Sequence, residues 1–172
     1  FRITLDTVTP LIDFGQGVLA NNTNISSNYT FVNVSYSEIN PSNLTFRIYN
    51  SSGNWNTTTY ITNSNTTNNS INFTGLANGI YDYNVTILDT ASNTNTTQTF
   101  RITLDTTNPS VFLYSPANGT GSSTPTTMFM ANVSDNIFVR NVSLLINGTI
   151  NQTNTSGING TGYNFSVVLP DG

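Results

Sequence analysis

Large apolar residues fall on every second position along much of this chain. Residues 81–87 read Tyr-Asp-Tyr-Asn-Val-Thr-Ile, with the odd positions apolar and the even ones mostly polar. Residues 100–104, Phe-Arg-Ile-Thr-Leu, place Phe100, Ile102 and Leu104 on one face. The same alternation runs through residues 29–36, 44–49, 70–74, 128–133 and 163–167. A period of two is the mark of a strand with one buried face. No segment carries the 3.6-residue stripe of an amphipathic helix. Clusters of Asn, Gly, Ser and Pro break the alternation about every ten residues, the spacing of an all-β sandwich. Inward parity then predicts a core of Val34, Leu44, Phe46, Phe73, Tyr83, Val85, Phe100, Ile102 and Leu104.

The alternation also repeats at long range. Phe-Arg-Ile-Thr-Leu-Asp-Thr occupies residues 1–7 and again residues 100–106, 99 positions later. Asn33-Val34-Ser35 recurs as Asn132-Val133-Ser134 at the same offset, and Asn43-Leu44-Thr45 matches Asn141-Val142-Ser143 with a slip of one. Slips of this size between strands are what loop-length variation produces. A period near 100 residues is the size of one seven-stranded sandwich. The Thr9-Pro10 and Asn108-Pro109 steps mark the junctions, because Pro fixes φ and cannot extend a ladder. The expected organisation is a closing strand of a preceding repeat (1–9), a complete sandwich (10–107) and a second sandwich lacking its last two strands (108–172). On this reading both ends are cuts through a longer array, so the second repeat is completed either by further chain or by a strand donated from a neighbouring subunit.

Gly79-Ile80-Tyr81-Asp82-Tyr83-Asn84-Val85-Thr86-Ile87-Leu88-Asp89, then Asn93, the heptapeptide, Asn108-Pro109 and Ser115-Pro116-Ala117-Asn118-Gly119 together resemble the tandem immunoglobulin-like repeats of archaeal and bacterial surface proteins. Such repeats build surface layers, large adhesins and extracellular filaments. The resemblance implies an all-β, tandem immunoglobulin-like fold, with Tyr81 or Tyr83 in the place of a tyrosine corner. It also implies an extracellular location and a structural task. One departure is Ala91-Ser92-Asn93, where relatives carry Ala-Gly-Asn, a change expected to stiffen the turn.

Composition sharpens this picture. Charged residues are 7% of the chain, against about a quarter in ordinary soluble domains, and the net charge is −4. Lys, His and Cys are absent, and the four cations are Arg2, Arg47, Arg101 and Arg140. A nucleic-acid footprint and a basic membrane patch are therefore both excluded, and no disulfide framework can support the fold. No apolar run is long enough to span a bilayer as a helix.

Asn, Ser and Thr take the place of the charges, and twenty Asn residues head N-x-S/T sequons, the acceptor pattern for N-linked sugars. They are Asn21, Asn24, Asn28, Asn33, Asn43, Asn50, Asn56, Asn65, Asn68, Asn72, Asn84, Asn95, Asn118, Asn132, Asn141, Asn147, Asn151, Asn154, Asn159 and Asn164. Strand alternation alone inflates such a count, since Asn at i and Thr at i+2 share the outward face. Random pairing of this composition would nevertheless give only about eight, and many of the sequons fall in expected loops. The sequence therefore anticipates attached glycans.

Catalytic chemistry finds little footing. Eight carboxylates are scattered and mostly at turns, where Asp caps its own backbone. Without His, Cys or Lys, most nucleophile and general-base schemes are closed. No cofactor is required. Calcium, which accepts carboxylate, amide and carbonyl oxygens, has weak candidate ligands in Asp89 with Asn93 and Asp105 with Asn108, expected to gather at a domain boundary. Trp55 and Tyr60 are the aromatics that could stack on a sugar ring. The expectation is thus a non-enzymatic module of a glycosylated surface layer or filament whose partners are copies of itself or adjacent repeats. Its rivals are an adhesin stalk and a carbohydrate-binding surface module. Neither nucleic acid nor membrane insertion enters.

Overall fold

The computed structural model describes residues 5–62 and 69–170. These residues contain fourteen strands and no helix. The chain divides into two compact units, Phe1–Thr106 and Thr107–Gly172.

In the first unit, β1 (Leu11–Phe14), β3 (Tyr29–Ser37) and β6 (Ser70–Thr74) form one antiparallel sheet in the order β1-β3-β6. The facing sheet has the order β2-β9-β7-β4-β5, built from β2 (Thr23–Ile25), β9 (Phe100–Leu104), β7 (Gly79–Asp89), β4 (Pro41–Asn50) and β5 (Gly53–Ile61). The short β8 (Thr94–Thr96) extends the β9 edge of β7. Every pairing is antiparallel except β2 with β9.

The period of two in the sequence becomes the inside and outside of this sandwich. Tyr81, Tyr83, Val85, Ile87 and finally Asp89 are buried along β7, while the residues between them are half-exposed. Val32, Val34, Phe73 and Leu76 from one side meet Leu44, Phe46, Ile48, Ile102 and Leu104 from the other in one continuous core. Eight of the nine expected core residues are buried, and Phe100 packs against the cluster from a half-buried position. Phe14 and Phe100 stack at 4.4 Å between ring centroids, and both meet Tyr83 edge-on. The Tyr83 hydroxyl donates to the Leu19 carbonyl at 3.4 Å, and burial pushes its pKa up to about 12.

The second unit repeats part of this plan. β10 (Ser110–Ser115), β11 (Thr126–Ser134) and β14 (Thr161–Val168) form a sheet in that order, and β12 (Val142–Ile146) pairs with β13 (Thr149–Asn154). Ala131, Val133, Val139, Tyr163 and Phe165 form its core. The β12–β13 hairpin turns through Asn147-Gly148, both with positive φ, as a two-residue type I′ turn needs. The Tyr163 hydroxyl closes on the Ile158 carbonyl at 2.7 Å, a bond to the backbone a few residues upstream of the kind a tyrosine corner makes.

The first heptapeptide copy lies largely outside the described residues, and one sequence expectation changes. Of the first heptapeptide copy, residues 1–4 lie outside the described residues, residues 5–10 form no strand, and Leu5 is 86% exposed. The same residues at 100–104 make β9 because β7 and β2 hold them on both sides. Ser92, expected only to stiffen its turn, sits at φ 75°, a conformation in which a side chain is disfavoured and Gly is free.

Candidate functional site

The described sequons lie at the surface of the fold. Of the eighteen among the described residues, none is buried. Asn21, Asn24, Asn28, Asn56, Asn72, Asn118, Asn132, Asn141, Asn147, Asn151, Asn159 and Asn164 are exposed, and Asn33, Asn43, Asn50, Asn84, Asn95 and Asn154 are half-exposed. Asn65 and Asn68 lie outside the described residues.

The side-chain hydrogen bonds divide these asparagines. Nδ2, the atom that would carry a sugar, donates within the fold from Asn33 to Gln16 O, from Asn84 to Thr99 Oγ1, from Asn95 to Pro10 O and from Asn159 to Asp135 O. At Asn50 and Asn154 it is instead Oδ1 that accepts the amide of residue i+2, at 2.9 Å in both. This Asx turn engages Oδ1 of the sequon asparagine with its own loop. Asn147 stands at the tip of the β12–β13 hairpin.

The calcium candidates separate. Asp89 and Asn93 come together: Asp89 Oδ1 accepts the amides of Ala91 and Asn93 at 2.8 Å, and Oδ2 accepts Asn93 Nδ2 at 2.8 Å. Asp105 lies at the other end of β7, since Leu104 pairs with Gly79 while Asp89 ends the strand. Ten residues at ~3.3 Å each put the two about 33 Å apart. Asp105 instead accepts Asn78 Nδ2, and Asn108 belongs to the second unit. The four candidates therefore do not gather into one site.

In their place the fold brings Asp6, Glu38 and Asp89 within 4.8 Å of one another, a grouping that lies 32 and 51 residues apart in sequence and that no local pattern announces. Its donors are hard oxygens of the kind calcium takes. Each carboxylate, however, already caps its own loop: Asp6 accepts the amide of Val8, Glu38 that of Asn40, and Asp89 those of Ala91 and Asn93. Burial acts to raise the Asp89 pKa, but the bonds from Asn93, Ala91 and Ser92 outweigh it and hold the carboxyl below its ordinary value. A general acid needs the opposite shift. Each carboxylate of the group thus serves as a turn cap.

Trp55 is 39% exposed and meets the buried Tyr81 edge-on, while Tyr60 is half-buried and edge-on to Phe46. Both rings are anchored to the rim of the core. Asp82 and Arg101 form a bidentate ion pair at 2.8 and 2.9 Å across β7 and β9, and these hydrogen bonds carry the Asp82 pKa down against partial desolvation.

No protein-family model matches the chain, and no curated protein matches it. Among solved structures it is similar to the fibronectin(III)-like modules of Clostridium thermocellum CbhA, at 15% identity and a TM-score of 0.46 over 92% of this chain and 80% of that one. An engineered protein shares 14% identity and a TM-score of 0.42 over 56% of this chain and 20% of its own. A Salmonella alpha-2-macroglobulin variant shares 10% identity and a TM-score of 0.35 over 94% of this chain and 12% of its own.

Proposed function

We propose that this chain is a stretch of an extracellular array of immunoglobulin-like repeats, N-glycosylated and serving as a structural module of a surface layer or surface filament. The observation that carries this reading is the placement of the sequons: twenty in 172 residues, with none of the eighteen described ones buried. A surface with 7% charge needs another means of staying soluble and of guarding its sheet edges, and bulky sugars supply both. The repeat at 99 residues supports an end-to-end array in which each sandwich is one repeat. Asp6, Glu38 and Asp89 act as turn caps and Asp82 as an ion-pair partner, which supports a non-catalytic role.

Intact-mass spectrometry of protein from its native source tests this directly. The expected mass is well above the 18.6 kDa of the peptide. Peptide mapping should find Asn50, Asn147 and Asn154 occupied ahead of Asn33, Asn84, Asn95 and Asn159, whose amides are engaged. An unmodified mass would overturn the glycan half of the proposal.

A further inference from the structure

Four Asn-Gly steps occur in the chain: Asn78-Gly79, Asn118-Gly119, Asn147-Gly148 and Asn159-Gly160. Such a step is prone to ring closure, because a glycine amide nitrogen, with no Cβ beside it, can reach the Asn side chain. The last three steps are also sequons, each followed by Thr. The space beside all four glycines is open to 4 Å, so crowding does not separate them. Side-chain hydrogen bonds do. Asn78 Oδ1 accepts the amide and the hydroxyl of Thr106 at 2.9 and 2.8 Å, and its Nδ2 donates to Asp105. Asn159 Oδ1 accepts the Asp135 amide and its Nδ2 donates to the Asp135 carbonyl, both at 2.7 Å. Ring closure at either residue has to break these bonds first. The side chains of Asn118 and Asn147 make no hydrogen bond among the described residues.

Asn147 has the clearest surroundings. It and Gly148, with φ 51° and 78°, are the two residues between β12 and β13, and both are exposed, as is Thr149. The corresponding tip of the β4–β5 hairpin, Ser51 and Ser52, is exposed too, although β7 lies along β4. Exposure of the tip is thus a property of the hairpin and does not depend on what pairs with β12.

We propose that Asn147 is a self-modifying site, which closes to a succinimide and opens to an acidic residue unless a sugar on Nδ2 prevents it. The Gly148 amide nitrogen attacks Asn147 Cγ and gives its proton to solvent. The new N–Cγ bond forms, the Cγ–Nδ2 bond breaks, and Nδ2 takes up a proton and leaves as ammonia. Water then opens the ring at one of its two carbonyls. Opening at Cγ gives aspartate; opening at the main-chain carbonyl gives isoaspartate, in which the chain runs through Cβ and Cγ. Nothing is oxidised or reduced. Either product puts a carboxylate where a neutral amide stood, and either destroys the sequon. Isoaspartate also lengthens the backbone of a two-residue turn, and turn length sets hairpin register. A sugar on Nδ2 hinders departure of that nitrogen, so glycosylation and self-modification exclude one another at this residue. The protective role of the sugar rests on the glycosylated reading above, whereas ring closure rests on the hairpin alone.

The chain made in a host without N-glycosylation, incubated in neutral buffer and followed by peptide mapping, tests the ring closure. Enzymatic methylation specific for isoaspartate is the second readout. Asn147, and Asn118 with it, should convert at least tenfold faster than Asn78 and Asn159, with isoaspartate the main product. In denaturant the four should converge, since the hydrogen bonds that separate them are gone. An intact Asn147, or Asn78 or Asn159 converting as fast in the folded chain, would overturn the assignment. Native material tests the protection. Thr149→Val removes this sequon alone, and Asn147 should then convert as in the sugar-free chain while the other sugars stay in place. Equal conversion of sugar-bearing and sugar-free Asn147 would overturn the protective role. A native chain without sugars would remove the glycosylated reading and leave ring closure standing, so the two fail separately.

Discussion

At the scale of single residues, the turn after β7 concentrates the local energetics. Ser92 holds φ 75° where Gly would be unstrained. Ser92→Gly should therefore stabilise the first unit by about 0.5–1 kcal/mol, read as a shift in the denaturation midpoint. A lower midpoint would mean that the Ser92 side chain makes a contact worth more than the strain. Asp89 ends the buried row of β7 as a carboxylate held by its own loop. Its folded pKa is lowered, so its contribution is fully present above the ordinary carboxylate value near 3.9 and is lost as pH falls below it. Acid titration of unfolding should thus show stability falling below about pH 4, and Asp89→Asn should flatten that fall while lowering stability at neutral pH. The Asp82–Arg101 pair is more exposed and screened by solvent, so breaking it should move the denaturation midpoint little.

At the scale of elements, the strands legible in the sequence are those with a clean inside and outside. β3, β4, β6, β7, β9, β11 and β14 alternate because each has one face on a core, and β6 and β9 fall at their expected bounds. What escaped is instructive physically. β5, Gly-Asn-Trp-Asn-Thr-Thr-Thr-Tyr-Ile, is a mostly exposed edge strand whose polar run resembles a loop. In β10 four apolar residues follow one another, Val111 to Tyr114, and all four are exposed, so burial imposes no period on them. The β12–β13 hairpin announced itself only through Asn147-Gly148, a turn signal that also reads as a sequon. The acidic group is further from legibility, because Asp6 and Glu38 reach Asp89 only through tertiary folding. Core position and exposed strand should also separate energetically. Phe46→Ala should cost the first unit about 3–5 kcal/mol, while Phe112→Ala should change the second by about 0.5 kcal/mol or less in denaturant unfolding.

At the scale of the whole molecule, the proposed structural role at a cell surface rests on a repeated sequence, an all-β fold and described sequons that all stand on exposed or half-exposed positions. The chain's sparse charge leaves strand edges little guarded, and the proposed glycans would confine edge pairing to intended partners. The account stands or falls on location and organisation together. Immunogold electron microscopy of intact native cells, with an antibody raised against the first unit, tests both at once. Gold particles decorating the outer surface in a periodic layer or along filaments is the predicted result. Label confined to the cell interior would contradict it.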